Sequence, residues 1–136
     1  MGAWSHEPFG NDTAGDWAYG LEEAKDLAYL EAALDKALEC GAEYLEAPEA
    51  EEAVAAIEVL AKLLGKGTQS DAYTEEVDAW VAAMRLQPDA PLLQKAQRVI
   101  DRIRGEASEL RELWQESGGG DDWTASMARL HAAVAT

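Results

Sequence analysis

A chain of 136 residues is most simply one domain, and 27 acidic residues against 11 lysines and arginines give it a net charge of −16. That charge excludes a role on DNA or RNA, whose phosphates are met by lysine and arginine, and disfavours anionic lipid. One cysteine, Cys40, excludes an intramolecular disulfide, and no stretch approaches the ~18 consecutive apolar residues of a membrane span.

The opening stretch, Met1 to Gly10, is aromatic, non-periodic and broken by Pro8 and Gly10. It reads as an extended segment pinned to the core by Trp4 and Phe9. It carries neither a basic nor an apolar signal region, so a cytoplasmic location is expected. A first short helix is expected from Asn11 to Thr13 onward, where capping residues meet an acid, with Ala14, Trp17, Ala18 and Leu21 on one face.

A second helix is expected over Leu21–Cys40, with Leu27, Leu30, Leu34, Ala37 and Leu38 inside and Gly41 closing it. Pro48 opens a third, over Glu49–Leu64, whose wide apolar face includes Ala50, Ala53, Val54, Ile57, Leu60, Ala61 and Leu64. Val59 and Leu63 extend that face, so this helix is expected to be flanked on more than one side. Ser70 or Asp71 caps a fourth helix, with Tyr73, Val77, Trp80, Val81 and Met84 facing inward and Pro88 ending it. Asp89 and Pro91 open a fifth, closed by Gly105. Ser108 caps a sixth through Leu110, Leu113 and Trp114. Gly118–Gly120 is a joint, and Asp121 or Asp122 starts the last helix, with Trp123, Met127, Leu130 and Val134 inward.

No run shows the period-2 alternation of a half-buried strand. The expectation is all-α: one domain, residues 1–136, built as an irregular bundle of about seven short to medium helices in two layers.

The opening Trp4-Ser5-His6-Glu7-Pro8-Phe9-Gly10-Asn11-Asp12, followed by Asp16-Trp17, resembles the bacterial domain-of-unknown-function family 4259. The alanine-rich run Ala53–Ala61 and Ser108-Glu109-Leu110 leading to Leu113-Trp114 fit the same pattern. The chain departs from it at Ser5, His6 and Glu7, where small residues including glycine are usual. The resemblance implies a helical fold and a cytoplasmic bacterial setting, and it carries over no catalytic residue.

The negative charge is unevenly spread. Residues 1–64 hold 15 acids against Lys25, Lys36 and Lys62, and residues 65–136 hold 12 acids against eight bases, giving −12 and −4. Such a field attracts cationic partners. On the second helix Glu31, Asp35 and Glu39 recur every four residues, a spacing that costs roughly 0.2–0.5 kcal/mol per like-charged pair. With Glu46, Glu49 and Glu52 they form the candidate partner-binding set, a face on which a basic protein would dock, as on the inhibitors of nuclease toxins. Two other readings stand beside it: a solvated face that aids solubility, and a face neutralised by the basic ridge of Lys95, Arg98 and Arg102.

Four further groups carry possible chemistry. His6, Glu7, Asp12 and Asp16 are the nearest approach to a polar site, and Asp12 and Asp16 with His6 could hold a metal or do acid–base work, though no paired metal-ligand spacing accompanies them and helix capping by Asn11, Asp12 and Thr13 explains the cluster as well. His131 reads as an edge-of-core histidine. Glu58 falls on the margin of the third helix's apolar face and reads as an exposed edge glutamate; if buried, it would need Arg98 or the Trp80 indole as partner. Four of the five tryptophans occupy core positions, and an exposed one beside the acids would mark a binding hot spot.

The functional expectation is a non-catalytic acidic interaction protein with a basic protein partner, possibly of the immunity or toxin-neutralising kind. No cofactor, nucleic acid or membrane is implied, and a homo-oligomer is compatible. The alternatives are a small metal-binding or hydrolytic domain on His6, Asp12 and Asp16, or a structural accessory domain.

Overall fold

The structure, a computed structural model, describes residues 4–135. Met1, Gly2 and Ala3, the beginning of the expected extended segment, lie outside the described residues, as does Thr136. The described chain forms α1 (Asp12–Leu21), α2 (Ala28–Glu39), α3 (Ala47–Leu63), a 3-10 turn (Ala72–Thr74), α4 (Glu75–Met84), α5 (Ala90–Arg104), α6 (Glu109–Ser117) and α7 (Gly120–Ala133). Among the described residues there is no strand; an isolated parallel bridge joins Leu45 to Ser108. The all-α expectation holds.

The architecture is organised around α3. This helix touches each of the other six. Every residue from Ala53 to Ala61 is buried. A helix that is apolar on all sides can sit only where neighbours surround it. Its alanines offer nothing beyond a methyl group, so those neighbours approach closely. A contiguous apolar cluster draws on all seven helices. No helix is long and apolar enough to cross a membrane among the described residues.

Local chemistry explains the boundaries. Asn11 caps α1 by accepting the Ala14 N–H at 2.7 Å, and Asp89 caps α5 by accepting that of Leu92 at 3.0 Å. Gly20 has no room for a side chain, because a Cβ there would lie 2.3 Å from the Tyr29 hydroxyl. Gly10 is equally constrained, 2.2 Å from Ser5 Oγ by the same construction.

Several expectations fail for identifiable reasons. α2 begins at Ala28, seven residues later than expected. Asp26 accepts the Ala28 N–H at 3.0 Å and starts the helix there, while the Trp80 indole takes the Ala24 carbonyl at 3.0 Å and holds the preceding turn open. Tyr73 points outward, 61% exposed. The 3-10 turn shifts the helical phase before α4 begins, so Thr74 faces inward in place of Tyr73, while Val77 and Trp80 are buried as expected. Leu113 is 43% exposed, and Trp4 is 50% exposed rather than pinned to the core; Phe9, beside the buried Pro8, anchors the opening segment there. α4 stops at Met84 because Arg85 turns left-handed, with φ of 51°, before Pro88 is reached.

Candidate partner-binding surface

The six acids proposed to bind a partner divide into two groups. Lys95, reaching across from α5, donates to Glu31 at 2.6 Å and Asp35 at 2.7 Å. Its ammonium is held above the ordinary lysine range, first by the hydrogen bond to Asp35 and then by that to Glu31. Lys36 stands 3.9 Å from Glu52. These three acids are therefore partly neutralised from within, as one of the alternative readings required.

Glu39, Glu46 and Glu49 form no ion pair among the described residues. Glu46 occupies the N-cap position of α3 without capping it. The bond is supplied instead by Glu109, which accepts the Ala47 N–H at 2.7 Å. Glu49 lies in the first turn of α3, where the helix dipole favours an acid. These three carboxylates are left to project charge.

The basic ridge of α5 is thus only partly spent on acids. Arg102 goes to backbone carbonyls, donating to Gly41 at 2.9 Å, Glu106 at 2.9 Å, Ala107 at 3.2 Å and Glu43. It ties the α2–α3 loop to the α5–α6 turn. Arg98 is exposed and makes no ion pair among the described residues.

His6, Asp12 and Asp16 do not converge. His6 lines a narrow cavity of about 20 Å³ with Glu7, Asn11, Glu51 and Trp114, room for about one water. Its Nδ1 is buried without a hydrogen-bond partner. Glu51, which shares this cavity, is held above the usual carboxylate range chiefly by burial, opposed by a hydrogen bond from Thr13. Asp16 lines a different, open groove with Trp17, Tyr29, Lys36 and Glu52. Among the described residues no three His, Cys, Asp or Glu side chains are grouped to hold a metal ion.

Glu58 reverses its expectation: it is fully buried. It accepts the N–H groups of Thr68 and Gln69, both at 2.8 Å, and the Thr68 hydroxyl at 2.7 Å. Lys62 stands 3.8 Å from it and pairs with Asp78 at 2.7 Å. Neither anticipated partner is used, since the Trp80 indole is engaged with Ala24 and Lys62 takes the place imagined for Arg98. Burial holds the Glu58 carboxyl above the usual range, with the Thr68 and Gln69 bonds pulling the other way. Gln69, fixed by Glu58, accepts the Phe9 N–H at 2.8 Å, so this network also holds the opening segment.

His131 is half-buried with Nε2 3.5 Å from Asp101, an edge histidine as expected. Cys40 is half-buried, with Sγ 3.2 Å from the Ala37 carbonyl oxygen. Of the tryptophans, Trp17, Trp80 and Trp123 are buried and Trp114 is half-buried. Trp4 is the exposed one, and its ring neighbour is Tyr73 rather than any acid of α2.

The opening motif thus resolves into structural parts: Phe9 in the core, Gly10 where no Cβ fits, Asn11 as cap and Trp17 buried. The model of the domain of unknown function DUF4259 matches residues 2–126. The chain belongs to the DUF4259 family. No curated protein and no solved structure matches it. In this DUF4259 member, Ser5 Oγ accepts the Glu7 N–H at 3.1 Å, a side-chain turn within the opening motif.

Proposed function

We propose that the protein is a non-catalytic binding module that docks a basic protein partner on the acidic side formed by α2 and the start of α3. The observation that supports this most is the set Glu39, Glu46 and Glu49, which lies in the most acidic part of the chain and has no internal counter-charge among the described residues. Charge of this kind adds little to stability and much to the rate of encounter with a cationic surface. Glu31, Asp35 and Glu52 would contribute less, because a partner would compete with Lys95 and Lys36 for them. A toxin-neutralising role in the bacterial cytoplasm is the specific form we favour. The metal-binding or hydrolytic alternative has weaker support, since His6 and Asp16 face different cavities.

The test is affinity purification from the native host at about 50 mM and about 500 mM salt, a range over which exposed charges become screened. The wild type should retain a basic protein at the lower salt and release it at the higher. The variant E39Q/E46Q/E49Q should lose that protein, and a control neutralising Glu116, Asp121 and Asp122 should keep it. A partner indifferent to salt and to the first variant would refute the proposal.

A further inference from the structure

Between α1, α2 and α3 runs an open groove of about 330 Å³, at the lower end of the size range of small-molecule sites. Trp17 of α1 and Tyr29 of α2 form its aromatic wall, with ring centroids 4.9 Å apart and planes 21° apart. The Tyr29 hydroxyl donates to the Trp17 carbonyl at 2.6 Å, so this wall is tied in place before anything binds. Ala32 and Ala33 line the α2 side, and their methyl groups leave space that larger side chains would fill.

Three charged side chains line the same groove: Asp16 from α1, Lys36 from α2 and Glu52 from α3. They do not satisfy one another. Asp16 is exposed and forms no ion pair among the described residues. Lys36 stands 3.9 Å from Glu52, beyond hydrogen-bond reach. The Tyr29 hydroxyl is held above its ordinary range, first by burial and then by the charge of Glu52, which therefore bears on the aromatic wall. A simple anion entering here would meet Asp16, Glu52 and a chain of net charge −16. A simple cation would meet Lys36. A molecule with one charge of each sign finds a counter-charge for both.

We infer that this groove binds a small zwitterion with an aromatic body, the chemistry of a free aromatic α-amino acid, a role independent of the docking role proposed above. The carboxylate of such a molecule pairs with Lys36, its ammonium with Asp16 and Glu52, and its ring lies against Tyr29 and the two alanines. Of the docking set only Glu52 lines the groove; Glu39, Glu46 and Glu49 do not, so the two readings can fail separately.

The test titrates the full chain near neutral pH with L-phenylalanine and, separately, with phenethylamine and hydrocinnamate, which carry the same ring with only the ammonium or only the carboxylate. The Tyr29 ring resonances are followed by NMR. L-Phenylalanine should shift them with a Kd on the order of 1 mM and bind about fivefold tighter than either half-analogue. Ala32→Leu, which fills the groove from an exposed position, should abolish the shift. Lys36→Gln should erase the preference over phenethylamine, and D16N/E52Q the preference over hydrocinnamate. E39Q/E46Q/E49Q should leave both preferences intact. Absence of a shift at about 20 mM, equally tight binding of either half-analogue, or binding that survives Ala32→Leu overturns the assignment. Loss of the basic partner from Ala32→Leu in the salt-dependent purification would give the groove to that partner and overturn it as well.

Discussion

Glu58 and Glu31 are both paired with a lysine, yet the protein uses them in opposite ways. Glu58 sits inside, where three hydrogen-bond donors and Lys62 converge on it. Glu31 sits at the rim of α2, sharing Lys95 with Asp35 in partial contact with water. A buried carboxylate is expensive unless every lone pair is met, and removing it strands its donors. A solvated pair gains little, because water would serve each charge nearly as well. The inner acid is therefore part of the fold, whereas the outer acids are free to serve recognition.

The comparison is broken most severely by Glu58→Ala. That change leaves the Thr68 and Gln69 donors without an acceptor and opens a buried void, while Lys62 keeps Asp78, and it should cost about 3–5 kcal/mol by denaturant unfolding. Glu58→Gln is milder, about 1–3 kcal/mol, because one acceptor oxygen survives.

The same pair of variants sharpens the contrast through pH. The folded-state pKa of Glu58 lies above its ordinary 4.5. The native state thus binds its proton more readily than the unfolded chain, and this group's contribution falls as pH rises from 4.5 through the raised value. Thermal melts from pH 4 to 7 should show that decline in the wild type and a flatter profile in Glu58→Gln.

Lys95→Ala, at the outer pair, should change stability by no more than about 1 kcal/mol, a loss that salt diminishes. Because the Lys95 pKa is raised above 10.5, its contribution is present below that pH and disappears as pH climbs through the raised value. E39Q/E46Q/E49Q should be the smallest perturbation of all, within about 0.5 kcal/mol of wild type in unfolding. Under the proposed docking role, its effect falls on partner association instead.

What the sequence could foretell follows the range of the interaction. Caps act over three residues, so Asn11, Asp89 and Gly105 were legible, and so was the breadth of the apolar face of α3. Glu58 was misread because its place on the helical wheel was compared with the face of one helix, while six neighbours close around α3 and turn the margin inward. Its partners Thr68 and Gln69 come from a loop with no periodic pattern to disclose them. Tyr73 was misread because a three-residue 3-10 turn is invisible to a 3.6-residue period. The pairing of Lys95 with Glu31 and Asp35 was visible only as one alternative, since spacing along α2 and along α5 says which faces are charged and not that they meet.

The link from Gln69 to Phe9 has a mechanical meaning. Tension applied at Trp4 would pass through the Phe9 amide into the 65–71 loop and then to the middle of the longest helix, instead of peeling away a loose end. Stretched from that side, the molecule should resist until Glu58 releases the loop and then give way in a single rupture.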